Sequence, residues 1–371
     1  MTSRLLNALD ARIRKTRNPV ESACLRAERA ALLARQGQLD AARAQLSALR
    51  TQFDTRPHAI VSAWASLAEG LVAYFENLSS SARDKFMRAL ALSTAFNAAH
   101  IRALSAAWLA HLDYVDQRFD AMILNLSVAR TEHVASSNDA RSRASLVTAQ
   151  AYHWADRIDL ALPWYARARR YASEDGDEAT LSALMHNMAW LRAVSARRIA
   201  VSDGQRPDSI EQILLGAEST GNFDQRIGAT SLSSLVPILR AHVLALLDEH
   251  VEALVLFDEH FEVALEEGLA RVQCAVLAEI AWCRMHAGDK DRAMSEALTA
   301  EVQIGLCDQP DERAAAHGRL AQLYAFAGEQ AAAELHRSQA EADWSTHSNN
   351  QNRVVAMLAA IEGAQADPSQ P

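Results

Sequence analysis

Two short segments place acidic and imidazole side chains next to one another. They are the Asp-Glu-His triplets at 248–250 and 258–260. Side chains of these types bind a metal ion when several of them converge at fixed distances. On a helix, ten residues at about 100° each turn the second triplet away from the first. We therefore expect solvated helix faces at these triplets and no metal site.

Sequence motifs for enzyme chemistry do not occur. The sequence has no GxxxxGK[ST] or GxGxxG segment to hold phosphates, no GxSxG turn for a nucleophile and no HExxH pair for zinc. The thirteen histidines are scattered along the chain. We therefore expect no catalytic residue and no cofactor. An enzyme that uses scattered histidines and carboxylates ranks last among the functional hypotheses.

The cysteines indicate the cellular compartment. Cys24, Cys274, Cys283 and Cys307 lie far apart and form no CxxC pair, which is typical of free thiols in a reducing environment. The first seventeen residues lack the continuous apolar core of a signal peptide. No run of about 18 apolar residues occurs, so we expect no membrane span. These features predict a cytoplasmic protein.

The composition favours helices. Half of the residues are apolar but only 6% are aromatic, and the 371 residues include just 13 glycines and 8 prolines. A chain rich in alanine and leucine and poor in helix breakers favours an all-α fold. The net charge of −9 leaves no basic surface to attract nucleic acid.

The sequence repeats with a period of about 40 residues. Each unit contains a helical stretch, a polar break, an alanine and a larger apolar residue about four positions later. Successive alanines are 39 or 40 residues apart, with one step of 92 that accommodates a further unit and about twelve extra residues. They are Ala42, Ala82, Ala121, Ala161, Ala253, Ala293 and Ala333. One pair of helices cannot bury its apolar stripe alone, so eight stacked units are predicted.

These units resemble the tetratricopeptide repeat (TPR). The stretches VAYFENLSSSARDKFMRAL, with Ala82 and Phe86, and YHWADRIDLALPWYARA, with Ala161 and Tyr165, carry its pattern. The period of 40 exceeds the usual 34, and in this the chain is similar to the MalT sensor domain, the kinesin light chain and the peptide-responsive Rap regulators. The resemblance implies an all-α, right-handed α-α superhelix, a TPR-like solenoid of about eight helical hairpins with N- and C-terminal capping helices.

The domain boundaries follow from the repeat. We expect an N-terminal capping helix at 1–17, the repeat array at 18–345, a C-terminal capping helix at 346–365 and a disordered tail at 366–371. The twelve extra residues place an insert near 199–207, with the sequence IAVSDGQRP. Its polar residues, glycine and proline favour a plain loop, and a binding or gating loop is the alternative.

In such a solenoid the first helix of each unit lines the concave wall. Counted back from the turns, that wall collects aromatic and polar side chains at Tyr74, Tyr114, Gln150, His153, Trp154, His186, Trp190, His242, Trp282 and His286. Aromatic rings serve as anchors at interfaces. These residues therefore form the predicted partner-binding site for an extended peptide or a helix. The alternative is that the tryptophans and histidines pack in the core.

The favoured functional hypothesis is a protein- or peptide-binding module that acts as a non-enzymatic scaffold or adaptor. The alternative is a sensor that responds to a peptide or small molecule and controls a partner protein in trans, which the resemblance to the Rap and MalT proteins suggests. The sequence identifies neither the partner nor the oligomeric state.

Overall fold

The chain is all-helical in a computed structural model. The structure describes residues 3–78, 81–131, 137–204, 210–230 and 232–365. Within these ranges there are 17 α-helices, one short 3₁₀ helix and no strand. The predicted all-α class is confirmed. None of the described helices combines the length and the apolar character that a membrane span needs.

The helices follow one another with short connections. Their bounds are α1 Arg4–Lys15, α2 Pro19–Arg35, α3 Leu39–Phe53, α4 Ala59–Asn77, α5 Ser81–Ala95, α6 Ala99–Val115, α7 Phe119–Thr131, α8 Asn138–Trp154, α9 Ile158–Asp175, α10 Glu178–Asp203, α11 Ile210–Ile227, α12 Leu235–Leu246, α13 His250–Glu266, the 3₁₀ helix Leu269–Val272, α14 Gln273–His286, α15 Lys290–Ile304, α16 Pro310–Ala327 and α17 Gln330–Gln365.

After α1, the helices alternate as first and second helices of hairpins. The pairs α2/α3, α4/α5, α6/α7, α8/α9, α12/α13 and α14/α15 pack against each other directly. First helices also pack on first helices, as in α2 on α4, α6 on α8 and α14 on α16. This arrangement buries the apolar stripe that a single hairpin would leave in water.

The chain divides into two compact units. Unit 1 comprises Met1–Met185, Asn222–Leu232 and Val354–Pro371, and unit 2 comprises His186–Gly221 and Ser233–Arg353. Each unit has its own buried core. The core of unit 1 includes Trp64, Phe86 and Trp108, and unit 2 is built around residues such as Phe257 and Leu320.

The repeating small residue lies at the hairpin contact in six of the seven predicted positions. Ala42, Ala82, Ala161, Ala253, Ala293 and Ala333 are all buried. Ala121 is the exception, because it is half-buried and the next residue, Met122, is inaccessible. The prediction for α7 is therefore wrong by one residue. Burial of the larger side chain removes more apolar surface from water, which favours the shifted register.

The start of α2 and the end of α16 show the local chemistry of helix caps. The Oδ1 atom of Asn18 accepts hydrogen bonds from the backbone N–H groups of Val20 and Glu21, at 2.9 and 3.2 Å. These bonds satisfy two of the donors that a helix start leaves unpaired. Gly328 follows α16 with φ of 88°, a left-handed conformation that glycine adopts without strain.

The predicted loop near 199–207 is wrong for residues 199–203. Helix α10 continues to Asp203, and residues 205–209 lie outside the described residues. Tertiary contacts in unit 2 hold this extension. A Cβ atom at Gly318 would lie 3.0 Å from that of Val201, and the carbonyl of Ala200 accepts a 2.8 Å hydrogen bond from Gln322.

The predicted C-terminal capping helix at 346–365 is part of a longer element. Helix α17 runs without a break from Gln330 to Gln365. In its last part, which belongs to unit 1, Val354 and Leu358 are buried. The predicted disordered tail at 366–371 lies outside the described residues.

Candidate functional site

Two of the predicted site residues, Tyr74 and Tyr114, lie near the C-terminal ends of α4 and α6 in unit 1. Both are half-buried. A 2.7 Å hydrogen bond joins the Tyr74 hydroxyl to Nε2 of His111. The Tyr74 ring also packs 5.6 Å from the buried ring of Trp108, measured between centroids. Tyr74 therefore packs on the core, and a buried histidine holds its hydroxyl.

Three further predicted residues lie on the last turns of α8. Gln150 and His153 are only 4% and 6% exposed, and Nδ1 of His153 lies 3.1 Å from the Tyr165 hydroxyl. Trp154 is half-buried and packs 4.9 Å from the Phe119 ring. Because Gln150 and His153 offer little surface, contact with a partner would require α8 and its neighbours to open. Their binding role stays a prediction.

In unit 2, three predicted residues form a chain of rings between α10 and α12. The His186 and Trp190 rings stack at 6.2 Å, and the Trp190 and His242 rings meet edge to face at 5.8 Å. His186 and Trp190 are half-buried, whereas His242 is buried. Among the described residues, neither ring nitrogen of His242 has a hydrogen-bond partner. A buried polar group in this state is uncommon in folded proteins.

His186 and His242 are both neutral at pH 7. Burial lowers the pKa of His186 to about 4, and the charge of Arg271 adds to the effect. Burial also holds the pKa of His242 well below its ordinary value, reinforced by the charges of Arg197 and Arg319. A neutral imidazole carries one donor and one acceptor nitrogen, so His242 has both to offer.

The last two predicted residues belong to a row of four rings in unit 2. Trp282 and His286 stand four residues apart on α14, which places their side chains on one face of the helix. The His286 ring lies 4.2 Å from the ring of Trp282, 4.5 Å from that of His250 and 4.9 Å from that of Phe326. We call these four residues the ring row.

The ring row presents apolar surface to solvent. Phe326, the penultimate residue of α16, is 57% exposed, His286 is exposed, and Trp282 is half-buried. Burial lowers the pKa of both His250 and His286, and the His250 imidazole lowers that of His286 further. Both imidazoles are therefore uncharged at neutral pH, and the row is suited to apolar groups.

A polar network behind the ring row fixes Trp282. The guanidinium of Arg319 lies 5.2 Å from the Trp282 ring centroid. A buried ion pair joins Arg319 to Glu279 at 2.9 Å, and Arg319 donates to Oε1 of Gln322 at 2.7 Å. Such a network holds side chains in single conformations. Trp282 is therefore ordered before any partner arrives.

A second buried ion pair lies in the same unit. Arg197 of α10 and Glu312 of α16 are 2.9 Å apart, and both side chains are 6% exposed. Burial raises the pKa of Glu312, and the charge of Arg197 offsets this only in part. Removal of one partner from such a pair leaves an uncompensated charge inside the protein. The pair therefore ties α10 to α16.

The two Asp-Glu-His triplets lie across the start of α13 and within it, and their side chains make other contacts. Oδ1 of Asp258 accepts a 2.5 Å hydrogen bond from Arg284, and His250 packs against His286. Across the part of the chain that the structure describes, no group of three His, Cys, Asp or Glu side chains is placed to hold a metal ion.

His250, Phe326 and Arg319 were not among the predicted binding residues. Phe326 stands 40 residues after His286, so the repeat period itself could have found it. His250 begins a second helix, and a search of the first helices alone has no signal for it. Arg319 was missed because a cation beside a ring is visible only when the helices are packed.

The comparisons with known proteins agree with the helical repeat. No protein-family model and no curated protein matches the chain. Among solved structures, the chain is similar to a Rap protein complexed with Competence and Sporulation Factor, with a TM-score of 0.57 over 93% of this chain and 99% of that chain, at 11% sequence identity. This likeness shows the fold. The chain has an all-α fold of repeated helical hairpins.

Proposed function

We propose that this chain is a non-enzymatic binding module, and that its ring row receives an apolar side chain of a peptide or protein partner. The observation that carries the proposal is the ring row itself, with Phe326 57% exposed and Trp282 at its inner end. Aromatic anchors of this kind dominate the binding energy of many interfaces.

The support behind the ring row favours tight binding. Trp282 already contacts Arg319, which Glu279 and Gln322 hold in place. A partner that packs against it therefore loses less side-chain entropy than it would on a mobile ring. The edge-to-face contact between Trp282 and Phe326, with ring centroids 6.3 Å apart, leaves apolar surface for a third group.

The similar Rap structure supports a peptide as partner. That protein is complexed with Competence and Sporulation Factor, so a helical-repeat fold of this type accommodates such a ligand. We place the binding module in the cytoplasm, in keeping with the four free cysteines.

The test is a screen of short peptides against the full chain, followed by titration of the best binder. Phe326→Ala and Trp282→Ala should each weaken binding by at least about 2 kcal/mol, roughly 30-fold in Kd. Phe96→Ala is the matched control, because Phe96 is 58% exposed but lies in unit 1. It should leave the Kd unchanged. An equal loss in all three variants would contradict the proposal, as would binding that survives both unit 2 substitutions.

A regulator that controls a partner in trans is the second candidate, and the observation that favours it is His242. A ligand that hydrogen-bonds this buried imidazole would compete with its present packing between Trp190 and Phe257. Small-angle scattering distinguishes the two roles. A regulator should change its radius of gyration when the peptide binds, and a passive scaffold should not.

A further inference from the structure

A small cavity lies in unit 1, far along the sequence from the ring row. Its volume is about 40 Å³, and its walls come from α1, α2, α4, α6, α8 and the first turn of α10. Leu5 and Leu9 of α1 and the rings of Trp64 and Trp108 are part of its apolar lining. Polar side chains also reach it, among them Arg143 and Glu28.

Arg143 is the unusual member of this lining. It is only 4% exposed, and its guanidinium lies 3.8 Å from the ring centroid of Trp108. Within the described ranges, this guanidinium makes no salt bridge and no hydrogen bond. A buried cation without an anionic partner is costly to maintain. The contact with Trp108 offsets part of that cost.

The other charges of the lining are compensated. Arg35 pairs with Asp177 at 2.7 Å, and Asp139 lies 3.1 Å from Nε2 of His100. Burial, aided by the charge of Asp139, raises the pKa of Glu28 to about 7, so this carboxyl is protonated for much of the time at neutral pH.

Arg143 keeps its charge under the same conditions. Burial lowers the pKa of Arg143 to about 9, and the charge of Arg35 contributes. At neutral pH the guanidinium is therefore still a cation, and it forms no ion pair with a carboxylate of the described residues. A buried cation favours an anionic ligand over a neutral one.

The size of the cavity narrows the choice of anion. A volume of 40 Å³ has room for about three water-sized groups. A carboxylate has three heavy atoms, whereas a phosphate has five. The planar guanidinium also presents two parallel N–H groups that match the two oxygens of a carboxylate.

We propose that unit 1 binds a carboxylate group in this cavity, with Arg143 as the cation that pairs with it. Apolar side chains that line the cavity, among them Leu5, Leu9 and Leu104, limit the water around the pair. The carboxylate belongs either to a small free acid or to the C-terminus of a peptide. This site is separate from the ring row, so it does not depend on the function proposed above.

The experiment titrates the full-length chain with sodium acetate, with a short peptide that has a free C-terminus and with the same peptide amidated. Chloride and phosphate at matched ionic strength are the reference ions. Thermal unfolding and calorimetry report binding, since a ligand specific to the native state raises the melting temperature and saturates. A shift with acetate identifies a small acid, and a shift that only the free-ended peptide produces identifies a C-terminus.

The variants connect that shift to the cavity. Arg143→Met should weaken carboxylate binding at least about tenfold, and it should not lower the melting temperature of the ligand-free protein, because it removes an uncompensated buried charge. Arg88→Met, which removes an exposed arginine from α5 of the same unit, should bind like the wild type. If Arg143→Met does not fold, Arg143→Lys tests the proposal in its place. Lysine keeps the charge but lacks the paired N–H groups, so this variant should also bind the carboxylate at least about tenfold more weakly.

Two results would overturn the proposal. One is the absence of any saturable shift with acetate or with the free-ended peptide in the wild-type protein. The other is a folded Arg143 variant that retains wild-type affinity for the carboxylate.

Discussion

At the scale of single residues, the contact between Gly70 and Phe86 shows how closely the two helices of a hairpin approach. Gly70 lies in the middle of α4, and Phe86 of α5 is inaccessible to solvent. A Cβ atom at Gly70 would lie 2.5 Å from Cε1 of Phe86. Glycine is therefore required here for the close approach of a ring and not for its backbone conformation.

Gly70→Ala should destabilise the protein by about 1–3 kcal/mol, because an overpacked core must shift. The loss should appear although alanine favours a helix by about 1 kcal/mol over glycine. Urea unfolding followed by circular dichroism measures it.

Gly216→Ala is the matched control in α11. A Cβ atom at Gly216 meets only that of Ala189, at 3.8 Å, which is an ordinary contact. This variant should be stabilised by about 0.5–1 kcal/mol. A change in stability in the same direction in both variants would contradict the role assigned to Gly70.

Some features of the candidate site follow from local sequence, and others depend on tertiary packing. The repeat period places Trp282 and His286 on the same helix face, and this could be predicted. The exposure of Phe326 could not be predicted, and neither could the lack of a hydrogen-bond partner for His242, because both depend on which helices cover them. For the same reason, the sequence does not indicate that Arg143 is buried without an ion pair.

At the scale of helices, α7 illustrates the limit of a register derived from a repeat. Its sequence offers small and large apolar residues side by side, at Ala121 and Met122. The structure buries Met122 and, four residues later, Leu126. Which of two neighbouring residues faces the core depends on the distance between the packed helices, and the sequence pattern does not give that distance.

Met122→Ala should cost about 2–5 kcal/mol, because it leaves a cavity between helices. Met87→Ala is the control, since Met87 of α5 is 46% exposed, and it should change stability by less than about 0.5 kcal/mol. Chemical unfolding of both variants in parallel gives the comparison. Similar losses in the two proteins would mean that α7 does not have the register described.

At the scale of the whole molecule, the titrating histidines differ between the two units. In unit 2, burial lowers the pKa values of His186, His242, His250, His286 and His317, to about 4 for His186 and His317. In unit 1, burial alone would lower the pKa of His100, but Asp139 raises it above its ordinary value.

Acidification should therefore weaken unit 2 first. A histidine whose pKa is lowered by folding does not reduce the free energy of unfolding above about pH 6.5. As the pH falls from there towards the pKa of the folded state, near 4, stability is lost, because the unfolded chain takes up the proton first. His100 acts in the opposite sense, since its contribution is lost as the pH rises. The raised pKa of Glu28 favours unit 1 at lower pH, and the raised pKa of Glu312 acts in the same sense in unit 2, so the histidines account for the expected difference.

Hydrogen exchange at pH 7.5 and pH 5, corrected for the intrinsic rates, measures this difference. Amides in unit 2 should lose protection at pH 5 while those of unit 1 keep theirs. His186→Phe removes one of the titrating groups and should reduce the loss. Loss of protection in unit 1 at a higher pH than in unit 2 would contradict the prediction that acid weakens unit 2 first.

The sequence by itself determined the helical class, the eight-hairpin pattern and most of the buried alanine positions. These follow from composition and from a period that recurs along the chain, and both are local properties. Tertiary structure decided the rest. Helix α10 extends to Asp203 because Val201 packs against Gly318. Arg143 contacts the Trp108 ring of α6 and forms no ion pair within the described residues. Burial and charge pairing depend on residues distant in sequence, so only the packed helices determine which rings remain exposed and which charge remains unpaired.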